Sequence, residues 1–356
     1  MSTSATKPVI TPSNSLTPTV RIGTRQSKLA LRQAQWVADA LQRQHPDIKF
    51  EIHKRDATAD KDKVTPLYKF GGQGLWTNEL EAELVTREVD FVVHSLKDMP
   101  TNLPEGCVLA CIPEREDPRD VVVVRSALAD KHRTLADLPE GSVVGTSSVR
   151  RMAQIRRRYP GLRFEDMRGN LDTRLRKLDA DDSPYAALIL AAAGLRRMGL
   201  GDRVTQYLHA GTEGGGMLHA VGQGGLGLEA RTDDEKTIAL LRGILDERAM
   251  LAAETERSVM RTLEGGCSVP IGVETEWVGE GEETRTLRIA ATVVSVDGSE
   301  AVDAEQVAEV RTREDAIAFG IRVAQHMRDN GAQKILDVIN AEREATRDDA
   351  KPWIPA

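Results

Sequence analysis

Asp98 is the acid of a Lys-Asp-Met-Pro turn (97–100) that follows a Val-rich apolar run from Val89 to Leu96. A carboxylate just past the carboxyl end of a buried strand stands where α/β sheets bind ligands, and there it can move a proton or stabilise a cation. A turn-capping aspartate is the plain structural alternative. Cys267 lies in Glu-Gly-Gly-Cys-Ser-Val-Pro (264–270), between glycines and a Ser-x-Pro. A structural cysteine usually hides in an apolar strand or on a helix face, so this setting describes a loop presenting its thiol, with an inert thiol as the alternative. The third group is cationic. From Gly145 to Lys177 the chain carries nine Arg and one Lys against Glu165, Asp166 and Asp172, a local net charge of +7 in a protein of net −7. Such a reversal marks a seat for a polyanion or for many carboxylates, unless it is a solvated basic face.

The arginines divide by position. Arg150 and Arg151 fall in the first helical turn after a Ser cap, where cations oppose the helix dipole and imply an anion sharing the site. Arg156, Arg157 and Arg158 lie near the end of that helix and read as surface. Arg168 and Arg174 bracket Arg-Gly-Asn-Leu-Asp-Thr-Arg, in which Gly169 permits close approach. The planar fork of Arg holds a carboxylate by two hydrogen bonds. Lys97 can pair with Asp98 or with a substrate carboxylate.

The elements that position these residues follow from periodicity. Val20 to Thr24 reads as a buried strand, and a helix follows from about Ser27 with Ala30, Ala34, Val37 and Leu41 on one face. Ser27 is a candidate N-cap. Residues 142–148 repeat the arrangement with Ser-Val-Val-Gly-Thr-Ser-Ser, so two α/β units are expected, each with a helix N-terminus suited to an anion. Residues 121–124 and 186–194 read as further buried strands. The segment 211–227 has eight glycines in seventeen residues, which suggests a flexible crossover or close backbone approach to a ligand. Beyond residue 246 comes a helix (249–263) and then two β-rich runs joined by Asp297-Gly298, a hairpin signal. A last amphipathic helix runs through Ile317, Ile321, Ala324 and Met327. The expected organisation is a tail (1–18), a first α/β domain (19–115 with 217–245), a second (116–216) and a smaller α+β domain (246–356).

Composition narrows the function classes. The 356 residues are 29% charged and 40% hydrophobic, with no apolar run of the roughly 20 residues that span a bilayer. A pI near 5.7 disfavours bulk nucleic-acid binding. Residues 1–18 hold eleven Ser, Thr or Pro, one Lys and no Arg, which fits a disordered tail rather than a secretory or mitochondrial signal. Three cysteines make no disulfide framework, so a reducing compartment, the cytosol, is expected. Cys107 and Cys111 flank apolar residues and read as core, as does His94. The seven His are scattered and no metal pattern is present. Residues 71–74 and 221–225 lack the Lys-Ser/Thr of a P-loop.

Seven segments carry a resemblance: RIGTRQSKLAL (21–31), HSLKDMP (94–100), GTSSVRR (145–151), RGNLDTRLRKL (168–178), LAAAGLRRMG (190–199), HAVGQGGLG (219–227) and EGGCSVP (264–270). In this order, across about residues 20–340, they closely resemble the porphobilinogen deaminase (hydroxymethylbilane synthase) family. The resemblance implies two periplasmic-binding-protein-like (type 2) α/β domains plus a smaller C-terminal α+β domain. It implies head-to-tail condensation of four porphobilinogen molecules, with loss of ammonia, to linear hydroxymethylbilane. It implies a dipyrromethane cofactor, joined by a thioether to Cys267, from which the chain grows. Asp98 matches the catalytic aspartate, which assists loss of the amino group and stabilises the pyrrole cation. Lys97, Ser27, Thr146, Ser147, Ser148, Arg150, Arg151, Arg168, Gly169 and Arg174 match cofactor-binding positions, and Arg25, Arg197 and Gln223 match substrate-binding ones. Residues 71–74 resemble the family's mobile lid and 221–225 its interdomain crossover, with Gln73 and Trp76 departing from the lid's usual Lys and Phe. A monomer is expected on family grounds. Cofactor and substrate together bring twelve carboxylates, which accounts for the charge reversal. A non-catalytic carboxylate-binding protein of the same fold is the rival reading, disfavoured by the presence of both Asp98 and Cys267. A nucleic-acid partner is disfavoured by the overall charge and the lack of stacking aromatics.

Overall fold

The computed structural model describes residues 18–55, 77–212, 216–263, 269–279, 281 and 284–348, with side chains described as far as Glu342. The tail, the 71–74 segment with Gln73 and Trp76, and Cys267 lie outside the described residues.

The first sheet contains β1 (Thr19–Arg25), β2 (Lys49–Arg55), β3 (Phe91–Ser95), β4 (Cys107–Cys111) and β10 (Leu226–Arg231), in the order β2-β1-β3-β10-β4. β1 runs parallel to β2 and β3, and β10 antiparallel to β3 and β4. The second sheet contains β5 (Asp120–Val124), β6 (Val143–Gly145), β7 (Arg163–Glu165), β8 (Tyr185–Ala191) and β9 (Gln206–Leu208), in the order β7-β6-β8-β5-β9. β5 is antiparallel to β8 and β9. The two sheets therefore share one plan: second strand, first, third, an inserted antiparallel strand, fourth. β5 follows β4 directly into the second sheet, while β10 returns from the second lobe into the first. Two crossovers, 112–119 and 209–225, thus join the lobes.

Helix α1 (Lys28–Gln44) begins where expected. Ser27 Oγ accepts the Ala30 N–H at 3.3 Å, and Ala30, Ala34, Val37 and Leu41 are buried. Those residues pack with Ile22, Phe91 and Val93 into one face of the first sheet. Full burial of a ring such as Phe91 contributes about 2–3 kcal/mol. Helix α2 (Asn78–Val85) covers the other face through Leu80 and Leu84. In the second lobe α3 (Val149–Arg158) is capped by Ser148, and α4 (Leu171–Leu178) packs Leu175 and Leu178 under β8. Gly145 has a packing reason: a Cβ there would stand 2.5 Å from Leu188 Cδ2. Helix α5 (Ala192–Arg197) follows β8 without a break, and α6 (Glu235–Leu241) follows β10.

The third unit pairs an antiparallel sheet, β11 (Ile271–Trp277), β12 (Thr286–Val294) and β13 (Ala301–Glu309), with α7 (Glu247–Thr262), α8 (Arg313–Asp329) and α9 (Ala332–Asp348). Gly298 at φ 79° completes the expected hairpin turn, and the Asp297 carboxylate accepts the Ser299 N–H at 3.0 Å. Two α/β lobes and a smaller α+β unit make up the expected fold class. Two local expectations need correction: the strand expected over 186–194 ends at Ala191, where α5 takes over, and the packed face of α8 differs in part from the one expected. The buried stripe of α8 is Ala316, Phe319, Gly320, Val323, Ala324 and Met327, whereas Ile321 is exposed. The i, i+3, i+4, i+7 series that packs is the one containing Phe319. The chain also continues into α9, which had no prediction.

Candidate functional site

The first wall of the site is the turn after β3. Leu96–Asp98 form one turn of 3₁₀ helix; Leu96 donates its N–H to Gly225 O at 3.0 Å, and Met99 to Leu96 O at 3.1 Å. Leu96 and Met99 are buried, which leaves Lys97 and Asp98 half-buried at the surface of the turn. Gln33 on α1 hydrogen-bonds the Ser95 hydroxyl at 2.9 Å and fixes the residue where the turn starts. Arg25, Gln33, Ser95 and Asp98 line a cavity of about 20 Å³, room for one water.

The second wall is the start of α3. Ser148 Oγ accepts the Arg151 N–H at 3.5 Å, Ser148 donates its own N–H to Thr146 Oγ1 at 3.2 Å, and Ser147 donates to Met167 O at 2.8 Å. The anion that the two misplaced cations implied is present within the protein. The Asp120 carboxylate, fully buried at the head of β5, meets Arg150 Nη1 at 2.7 Å and Arg151 Nη2 at 2.7 Å. Gln223 donates to the same carboxylate at 3.0 Å and to Pro118 O at 2.7 Å. Arg150 also donates to Leu218 O and Arg151 to Ile189 O. Burial by itself pushes Asp120 up, but Arg150 and Arg151 outweigh it and hold the carboxyl well below the usual range.

These walls share one electrostatic environment. Burial lowers the Lys97 ammonium against the pull of Asp98, and Arg151 and Arg150 lower it further. Burial, with Arg151 and Arg168, pushes Arg174 down to about 10 despite the opposing Asp166 and Asp98. Cations crowded enough to depress one another favour an incoming polyanion. Arg174 Nε donates to Gly169 O at 2.7 Å, and Gly169 has φ 116°, a conformation L side chains avoid.

The crossovers lock against the same site. Glu256 on α7 is fully buried and accepts from Arg115 Nη1 and Nη2, at 2.7 and 3.0 Å, from the Gly222 N–H at 2.8 Å and from the Thr275 hydroxyl at 2.6 Å. Burial raises this carboxyl, but Arg115 and His219 bring it below its ordinary value. The glycines of the return crossover approach protein rather than leaving space for ligand. A Cβ on Gly222 would lie 2.8 Å from Leu96 Cγ, and one on Gly224 would lie 2.2 Å from Glu116 O. Of the two readings offered for 211–227, a crossover or close approach to a ligand, these contacts at 222 and 224 support the crossover.

A family model described as the porphobilinogen deaminase dipyromethane cofactor binding domain matches residues 20–239, and one for the porphobilinogen deaminase C-terminal domain matches residues 250–329. The chain belongs to the porphobilinogen deaminase family. The porphobilinogen deaminase of Neurospora crassa is 56% identical over 327 residues, covering 91% of this chain and 95% of the relative. Those of Saccharomyces cerevisiae and a Nostoc species are 48% and 49% identical, each over 91% of this chain and over 98% and 95% of the relative. Among solved structures, the BenM effector binding domain with its effector benzoate matches with a TM-score of 0.38 and 15% identity, covering 65% of this chain and 91% of that one.

Within this porphobilinogen deaminase family chain, Lys97, Asp98, Arg150, Arg151, Arg168 and Arg174 interact electrostatically, and Arg25 joins Asp98 at the small cavity. Ser27 and Ser148 spend their hydroxyls on helix caps, and Thr146 is buried behind Ser148. Gln223 is 1% exposed and acts through Asp120. Arg197 Nη2 binds Gly224 O at 2.7 Å, on the crossover. Arg157 and Arg158 are exposed, as read, and Arg157 pairs at the surface with Asp303 of the third unit at 2.8 Å, whereas Arg156 is half-buried and donates to Val296 O. Gln33, Asp120, Arg115 and Glu256 escaped sequence reasoning. A lone acid heading the Val run 121–124 was the one available signal for Asp120.

Proposed function

We propose that the chain catalyses the stepwise head-to-tail condensation of four porphobilinogen molecules, releasing ammonia, to give hydroxymethylbilane for porphyrin and haem formation. The observation that carries this reading is the Asp98 carboxylate on the first lobe, set beside Lys97 and sharing its electrostatic environment with Arg174 of the second. The donor set suits the dipyrromethane group: Lys97, Arg168 and Arg174, with Arg150 and Arg151 behind them, would hold its acetate and propionate side chains as cations holding carboxylates. When bound, that group supplies the primer from which elongation starts.

This chain's residues do the rest. Arg25 and Arg197 hold the carboxylates of the incoming pyrrole, which fixes its aminomethyl arm toward Asp98. Asp98 hands a proton to the departing amine, stabilises the cation left on the ring, and takes back the proton released when the new carbon–carbon bond restores aromaticity. Asp120 anchors Arg150 and Arg151 so that they keep their places as pyrrole carboxylates come and go. Cys267 is the attachment point in this reading, supported by its motif. A cytoplasmic, monomeric protein is part of the same reading, tested by fractionation and sedimentation.

The deciding experiment is intact mass with turnover. Purified protein should be heavier than its sequence by two linked pyrrole units, and Asp98→Asn should keep that mass while losing nearly all turnover. An unmodified mass, together with Cys267→Ser protein that still converts porphobilinogen, would refute the assignment. The non-catalytic carboxylate-binding reading has no observation in its favour.

A further inference from the structure

One stripe of α7 faces the turn that carries Asp98. Ala249, Ala253, Arg257 and Arg261 recur every fourth residue and so lie along one side of the helix. Ala249 and Ala253 share one buried apolar cluster with Leu96 and Met99. One and two turns further on, the contact becomes polar. Arg257 Nη1 donates to Met99 O at 3.2 Å and Nη2 to Pro100 O at 2.5 Å, while Arg261 Nη2 donates to Thr101 O at 3.0 Å. Three successive carbonyls, beginning with the residue after Asp98, are therefore held by two guanidinium groups on one helix.

The placement of Arg257 is costly. It is 2% exposed, and burial pushes it down to about 10. Among the described residues it has no ion-pair partner; neighbouring Glu254 is taken by Arg313. A buried cation with only carbonyls for partners is poor value for stability, since an apolar residue would fill the space without the desolvation cost. What it supplies is direction. A forked donor spanning two consecutive peptide groups fixes their orientation, and with it the end of the 3₁₀ turn. The carbonyls at the carboxyl end of such a turn lack internal partners. The same helix ends at Thr262, five residues before Cys267 in the sequence.

We infer that Arg257, seconded by Arg261, is a positioning residue that sets the Asp98 carboxylate in register with the bound pyrroles. This rests on the functional reading above and assigns a role to residues outside the arginine bank. Arg257 does not touch substrate; it acts through the Met99 and Pro100 carbonyls.

The test compares full-length Arg257→Met, Arg257→Lys, Arg261→Met and Asp98→Asn in porphobilinogen turnover, with intact mass and circular dichroism on each preparation. Arg257→Met should keep the cofactor mass and the native spectrum, lose at least tenfold in kcat with KM changed less than about threefold, and show a displaced acid limb in its kcat/KM profile. Arg257→Lys should recover part of the loss, because a point charge reaches one carbonyl at a time. If Arg257→Met does not fold, Arg261→Met carries the test with a smaller loss of the same kind. Folded, cofactor-bearing Arg257→Met with kcat within twofold of wild type would overturn the inference, as would a loss confined to KM. If Asp98→Asn itself retains turnover, the functional reading fails instead, so the two failures are distinguishable.

Discussion

Asp120→Asn removes one negative charge from between two buried guanidinium groups and leaves the shape of the site nearly unchanged. Asp120 is fully buried, and Arg150 and Arg151 have side chains only 7% and 8% exposed. Solvent cannot take over for the missing carboxylate. Breaking a buried pair from one side costs about 3–5 kcal/mol. Unfolding entropy is about 2.1 cal/mol/K per residue near 60 °C, so melting of the 356-residue chain as one unit corresponds to about 0.75 kcal/mol per degree. The expected fall in Tm is then about 4–7 °C, read by calorimetry at pH 7. The pH dependence has a definite sign. A carboxyl held below its unfolded value contributes fully above the ordinary carboxylate pKa near 3.9, and the contribution is lost as pH falls toward the folded value. The wild-type advantage should be constant from about pH 5 to 8 and shrink below about pH 4. Replacing all three charges together (Asp120→Leu, Arg150→Met, Arg151→Met) should cost less stability than Asp120→Asn alone, because no charge is stranded. A variant melting within 1 °C of wild type across pH 5–8 would show that the arginines relax to solvent, and would refute the buried-triad argument.

Other outcomes follow from named contacts. Gly224→Ala, at φ 87° with its Cβ 2.2 Å from Glu116 O, should cost at least about 3 kcal/mol. Gly106→Ala, at φ 81° with nothing within 4 Å, should cost only about 1–2 kcal/mol; equal melting shifts for the two would discount the backbone clash. Burial pushes the thiols of Cys107 and Cys111 up to about 11 and 12, so both should react slowly with a disulfide reagent at pH 8 in the native protein. In denaturant the cofactor-bearing protein should titrate two thiols although the chain holds three Cys; a titre of three would argue against a thioether at Cys267. Asp303→Ala, which removes the half-exposed partner of Arg157, should cost about 1 kcal/mol or less, an effect that salt should diminish; a larger, salt-independent loss in denaturant melts would mean that the docking of the third unit depends on this pair.

The parts of this protein legible in its sequence are those governed by near neighbours. The Ser27 and Ser148 caps, the buried stripe of α1, the Asp297-Gly298 turn and the position of Asp98 after β3 each depend on residues a few places apart, where periodicity and turn chemistry operate. The seven co-linear motifs extended that to family and reaction. On α8, Ala324 and Met327 pack as expected while Ile321 is exposed, because two overlapping apolar series were available and only the packing of Phe319 chooses between them. What tertiary structure alone decided is which charges meet. Arg150 finds its anion thirty residues upstream in Asp120, and Glu256 on α7 collects Arg115 from one crossover and the Gly222 N–H from the other. Arg257 reaches carbonyls 157 and 158 positions away. Buried ion pairs and carbonyl contacts of this kind depend on distances through space in a low-dielectric interior. Those distances exist only once the sheets and α7 have closed around the turn that carries Asp98.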